Sequence, residues 1–253
     1  MRVRAYTRSV GPEDARARLA ALGFGAVDVE TLFAHFDDAE RRGKLGHGHA
    51  RIEWLETQEV DPGARAAKVV SEPGFDRWES RGRLGYLVLA EICAALVADE
   101  PQPARVVVAD AFPTGHLGYW VRGLAEAGLV ALLTATSPAR LPHPDGGAPL
   151  VGTNPLAIGL PSRDGEPIVT DVSMGAVTYG DVIRGAAGAE ELVPFGGEQA
   201  HKAFALALGL EGLVTSLVGE RHGIVLVAAR PEFDGFATAL RGRAVGLRLP
   251  GDS

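Results

Sequence analysis

Two histidines and an arginine fall within Gly43-Lys-Leu-Gly-His-Gly-His-Ala-Arg51. An imidazole gains or loses a proton near neutral pH. A guanidinium pairs with a carboxylate through two parallel hydrogen bonds. In an extended segment His47 and His49 point the same way, the beginning of a metal pair whose third ligand would come from Asp110, His116 or His143. The alternative is that one histidine faces a site and the other faces solvent. Arg51 has a plainer role open to it, an ion pair with Glu53. Other chemistry is absent from the sequence: no Gly-x-Gly-x-x-Gly follows a strand, and no phosphate loop, serine-hydrolase elbow or Cys-x-x-Cys pair appears. Cys93 lies in the apolar run 87–97 and reads as a buried, inert thiol.

The elements that must position these residues form a mixed α/β pattern. Residues 9–23 read as a helix with Pro12 in its first turn and Gly23 at its end. A second helix spans about 28–42, with Val29, Leu32, Phe33 and Phe36 on one face. Residues 43–51 read as a glycine-rich loop, and 58–74 as a weak stretch broken by proline and glycine. A buried helix is expected over 85–98, strands over 105–110 and 129–135, and a helix between them over 118–127. A long loop covers 137–155, strands follow at 156–160 and 167–172, and the longest helix lies within 196–218. Residues 223–229 form a strongly apolar strand. We divide the chain into an N-terminal helical part (1–80), an α/β core (81–220) and a C-terminal strand and tail returning to the first part (221–253).

The chain has 253 residues, 46% of them hydrophobic and 23% charged, enough for a substantial core. Its 25 Lys+Arg against 32 Asp+Glu leave a net charge of −7. That argues against nucleic acid as the main partner, because phosphate binding needs a positive face. A single cysteine and an N-terminus without an apolar leader lead us to expect a cytoplasmic location with no membrane partner.

Several segments, in order, resemble the signatures of the type-2 malate/L-lactate dehydrogenase family. Arg42-Gly-Lys-Leu-Gly-His-Gly-His-Ala-Arg51 is similar to its Arg-Gly-x-x-Ser-His-Gly-x-x-Arg. Gly115-His-Leu-Gly-Tyr-Trp resembles its glycine-aromatic helix start, and Pro144-Asp-Gly-Gly-Ala-Pro-Leu-Val-Gly-Thr-Asn-Pro155 its Gly-Thr-Asn-Pro loop. Thr170-Asp-Val-Ser173, Pro194-Phe-Gly-Gly with His201-Lys202, and Leu247-Arg-Leu-Pro-Gly-Asp252 complete the series. The resemblance implies a non-Rossmann α/β fold and an NAD- or NADP-dependent oxidoreductase, commonly a homodimer, acting on a small carboxylate substrate. It implies that His47 and Arg51 hold the substrate carboxylate and its 2-oxo or 2-hydroxy oxygen, with His49 and Thr153 nearby. Ser137, Asn154, Pro155, Asp171 and Lys202 fall at positions associated with the dinucleotide.

The sequence also departs from that pattern. Gly46 replaces the serine before the histidine. The family's proton-transferring histidine falls at Pro113, and His116, three residues on, is the substitute we expect to act as acid. Ala203, Phe204 and Ala205 replace two glycines and a tyrosine, and the segment between Asp181 and Pro194 is short. Two functions follow. One is an NAD(P)H-dependent reductase of a small 2-oxo acid or cyclic imine carboxylate. The other keeps the fold, drops the redox step, and performs non-redox chemistry on, or binding of, a small carboxylate, in specialised biosynthesis. A His47/His49 metal enzyme is a third, lesser reading.

Overall fold

A computed structural model of the chain describes residues 11–101, 103–163 and 165–252. The N-terminal stretch read for a leader, and Ser9 and Val10 ahead of the first helix, lie outside the described residues. Helix α1 (Pro12–Ala21) starts on its proline, and α2 (Ala26–Arg41) buries Val29, Leu32, Phe33 and Phe36. Residues 43–51 are not a plain loop. They contain a single 3-10 turn at Leu45–His47 and run into α3 (Ala50–Leu55), whose Ile52 and Leu55 are fully buried. Arg51 is therefore carried by a helix anchored in the core.

The stretch 58–74 contains β1 (Ala67–Glu72), which pairs antiparallel with β2 (Phe75–Glu79) through a tight turn with Gly74 at φ +78°. Both strands are short, β1 mostly solvated and β2 mostly half-buried, so they lack the apolar run that marks a buried strand. Helix α4 (Gly85–Ala98), β3 (Ala104–Asp110), α5 (Leu117–Glu126) and β4 (Val130–Ala135) follow as expected. The expected loop 137–155 holds a small hairpin, β5 (Leu141–His143) with β6 (Gly146–Val151). Then come β7 (Leu156–Leu160), β8 (Ile168–Val172), a short α6 (Tyr179–Ile183), the long α7 (Ala200–Val218), β9 (Gly223–Ala229) and α8 (Phe236–Arg243).

The main sheet has the order β1-β2-β3-β9-β4-β7-β8, with only β2 and β3 parallel. Period-two alternation sorts its residues between two faces. Val107, Leu226 and Leu133 align across β3, β9 and β4 and join the large core beneath α2, α4 and α5. Val108 and Val225, one residue out of phase, meet Val214 of α7 on the other face. The last strand thus sits centrally, and in the tail after α8 the Gly251 carbonyl accepts from Arg42 at the end of α2 and from Arg122 of α5. Cys93 is packed against the large core, and burial pushes its thiol up to about 12.

Helix α5 lies on β4, β7 and β8 because Gly159 of β7 leaves room for it: a Cβ there would press into the Val121 carbonyl. Gly159→Ala should therefore lower the unfolding free energy by about 1–3 kcal/mol. Denaturant unfolding checks this, and an unchanged midpoint would show that the helix is free to move off the sheet.

Candidate active site

A cavity of about 340 Å³ opens where the turn after α2, the start of α5 and the loops around β5–β8 meet. Its floor begins at the end of α2. Gly43, at φ +70°, closes that helix and sends Lys44 outward. Lys44 Nζ donates to Asp171 Oδ2 of β8 at 2.5 Å, and the same oxygen accepts from the Gly118 backbone N–H at 3.0 Å. A Cβ on Gly118 would fall 3.0 Å from that carboxylate, so the glycine at this position is what admits it.

His47 lines the cavity, and its buried Nδ1 has no hydrogen-bond partner. Burial, followed by the Arg51 charge, holds its imidazole well below the ordinary histidine value. Arg51 is 9% exposed, lies 5.3 Å over the Trp54 ring, and keeps an unpartnered Nε. It does not form the plain ion pair with Glu53, whose carboxylate turns to Arg18. His116 also lines the cavity, brought inward by the turn before α5. Trp120 Nε1 donates to the Thr114 carbonyl at 2.9 Å and pins that turn. Gly115, at φ +70°, passes so close to His35 that a side chain there would enter its ring.

His116 stands 3.6 Å from Asp38 Oδ2, 4.6 Å ring to ring from His35 and 6.2 Å from His47. Both of its nitrogens are buried without a hydrogen-bond partner among the described residues. Burial is the main cause that pushes its pKa well below the usual value, aided by the Lys44 charge. His35, enclosed by Phe36, Tyr86, Tyr119 and Trp120, is pushed down by burial in the same way. All three rings are therefore neutral at pH 7.

Of the expected dinucleotide residues, Ser137, Pro155 and Asp171 line this same cavity, as does Thr153, expected near the substrate. Ser137 Oγ is buried without a partner. Gly152 lies so tightly against Ser137 that a Cβ would come within 2.6 Å of that hydroxyl. Three expected residues are elsewhere. His49 turns away and stacks on Phe33 at 6.0 Å, so it does not form a pair with His47 in the cavity. Asn154 is fully buried and donates to the Ala207 carbonyl and to Glu211 Oε2, which fastens the Gly-Thr-Asn-Pro bend to α7. Lys202 is exposed and donates to Gln199 at 2.5 Å, because Ala203 and Ala207 are the residues of its helix turned inward.

Sequence reasoning missed two contributors. Arg140, in the loop expected over 137–155, stacks its guanidinium on Tyr179 of α6, with 3.4 Å between its central carbon and the ring centre. Both line the cavity. Gly46 meets Gly180 backbone to backbone, and a Cβ on Gly46 would lie 3.0 Å from Asp181 N. This contact explains why a glycine stands where the family pattern has serine: α6 occupies the space.

A mixed sheet flanked by helices, with a cleft lined by guanidinium and imidazole groups, defines an α/β protein with one candidate site. The chain belongs to the malate/L-lactate dehydrogenase family, whose profile matches residues 13–191. It is 31% identical over 177 residues to a (2R)-3-sulfolactate dehydrogenase (NADP(+)) of Chromohalobacter salexigens, covering 66% of this chain and 52% of that protein. It is 31% identical over 225 residues to a Δ1-pyrroline-2-carboxylate/Δ1-piperideine-2-carboxylate reductase of Pseudomonas syringae pv. tomato, covering 76% of this chain and 64% of that one. The chain thus aligns with between half and two thirds of the length of these two relatives. The crystal structure of the Δ1-piperideine-2-carboxylate reductase from Pseudomonas syringae superposes with a TM-score of 0.80 at 24% identity, over 97% of this chain and 92% of that one. A malate dehydrogenase from Entamoeba histolytica superposes with a TM-score of 0.78 at 18% identity, over 98% and 88%. These two likenesses establish the fold.

The buried histidines predict an acid-sensitive fold. His35 and His116 titrate below 6.5 in the folded chain and near 6.5 when unfolded, so the unfolded chain binds more protons in between. Stability should be full above about pH 7 and fall as pH drops below 6.5, by up to about 1.4 kcal/mol per pH unit for each histidine. Denaturant unfolding at neutral and mildly acidic pH, on the wild type and on His35→Phe, measures it. An equal pH response in both proteins would remove His35 from the explanation.

Proposed function

We propose that this chain is an NAD(P)H-dependent reductase of a small 2-oxo acid or cyclic imine carboxylate. The observation that carries the reading is that Arg51, His47 and His116 share one cavity with Ser137, Thr153 and Pro155. The residues present fit a dinucleotide's reactive end: Ser137 offers a buried hydroxyl with no other partner, beside a glycine that keeps the wall flat. Ser137, Thr153 and Pro155 would hold that end. When bound, the cofactor supplies the hydride, and the protein supplies position and charge.

Arg51 binds the substrate carboxylate, since its guanidinium is buried and pairs with no acid among the described residues. His47 donates a hydrogen bond to the 2-oxo oxygen and orients it. His116 delivers the proton that balances the hydride, to that oxygen or to the imine nitrogen. Asp171 holds Lys44 and the start of α5 in place, so it acts here as a positioning residue. The non-redox alternative is favoured by two observations: proline stands at position 113, and Lys202 lies outside the cavity.

The proposal includes a homodimer. Helix α7 is long and apolar enough to cross a membrane by length and composition, and only 17% of that stretch is buried. It also packs along β3, β4 and β9 and grips the 152–154 bend through Glu211. A helix so attached along a sheet is better covered by a second copy than by lipid, with Leu206, Leu208 and Leu213 in the contact. A cytoplasmic location with no membrane partner agrees with this.

Loss of reduced-nicotinamide absorbance with a panel of 2-oxo acids and cyclic imine carboxylates tests the activity. Turnover is expected, with Arg51→Ala lowering kcat/KM about 100-fold or more and Lys202→Ala changing it by less than about twofold. Failure of either dinucleotide to bind at concentrations on the order of millimolar would decide for the non-redox reading. Light scattering after size exclusion should give twice the chain mass, and a monomer would leave α7 unexplained.

A further inference from the structure

The cavity holds one cationic group that the reductase reading leaves without a task. Lys44 is matched by Asp171, and Asp181 is taken by Arg184 and by the Thr178 cap. Arg51 and Arg140 have no ion-pair partner among the described residues, and each keeps a buried Nε without a hydrogen bond. Arg140 is held by stacking on Tyr179 rather than by an acid. Burial pushes its pKa down, and the nearby Arg51 charge adds to that push. Two guanidinium groups thus line one small cavity with no carboxylate paired to either among the described residues. Removing the water around such groups is costly unless an anion replaces it.

We propose that Arg140 receives a second anionic group, so that the cavity selects small acids carrying two negative charges over monoacids. One carboxylate lies on Arg51, and the far carboxylate or sulfonate lies on Arg140. Tyr179 fixes the plane of the Arg140 fork, which is the geometry a two-oxygen acceptor needs. This specificity rests on the reading of the cavity as the substrate site, yet it concerns binding and needs no turnover. A dinucleotide phosphate is the competing source of the same charge, because Arg140 lies three residues beyond Ser137.

The test is binding of malate and of lactate to the cofactor-free protein, followed by calorimetry or by the fluorescence of Trp54 in the cavity wall. Malate is expected to bind at least about tenfold more tightly than lactate. Arg140→Gln should abolish that preference by weakening malate binding more than lactate binding, while Arg140→Lys, which keeps the charge and loses the fork, should retain part of it. Equal binding of the two acids by the wild type overturns the proposal. So does an Arg140→Gln protein that still prefers malate, whether or not it binds NADPH more weakly; weaker NADPH binding would assign Arg140 to the cofactor phosphate. Absence of nicotinamide oxidation with every acid would count against the reductase alone, since the malate preference is measured without it.

Discussion

The site hangs on one carboxylate. Asp171 Oδ2 receives the Lys44 ammonium from the turn after α2 and the Gly118 N–H from the first turn of α5, while its own backbone belongs to β8. Three segments far apart in sequence are tied at that oxygen. Their neighbours line the cavity: His47 follows Lys44 by three residues, and His116 precedes Gly118 by two. A backbone donor at a helix start adds to the charge-assisted bond, because the partial positive charge there favours an anion. Loss of the carboxylate would leave Lys44 lining the cavity with no counter-charge and release the start of α5 from the sheet edge.

Glycines determine how closely the surrounding pieces approach. Gly118 admits Asp171, Gly115 passes His35, and Gly46 and Gly180 touch backbone to backbone. The last contact sets Tyr179, and with it Arg140, on the same cavity as His47 and Arg51. A serine at position 46 would have to displace α6. Glycine at position 46 thus lets α6 approach the segment before His47 backbone to backbone.

Much of this was legible in the sequence, for a physical reason in each case. The helical period of Val29, Leu32, Phe33 and Phe36 and the apolar runs of β3, β4 and β9 are local signals, and they folded as read. The ordered motifs brought His47, Arg51, His116, Ser137, Thr153, Pro155 and Asp171 to one place. The hairpins β1–β2 and β5–β6 were illegible because their burial is slight and their pairing is set by turns. Asn154 and Lys202 failed as cavity residues because side-chain direction depends on tertiary contacts: Glu211 and the Ala207 carbonyl claim the first, and the inward face of α7 turns the second to solvent. Arg140 carried no signal beyond its charge, since its partner Tyr179 is 39 positions away.

The charge inside the cavity runs against the charge of the whole. A protein with net charge −7 keeps two guanidinium groups unmatched at its candidate site, so attraction for small anions is a local property of the cleft. Neutral histidines are part of that arrangement. Burial is the main cause that depresses His35, His47 and His116, and the nearby Lys44 charge adds to it in each case. A bound anion lowers the potential it enters and makes protonation of His47 and His116 easier. A negatively charged ligand therefore draws these rings toward the imidazolium form, and a neutral ligand of the same shape would leave them neutral.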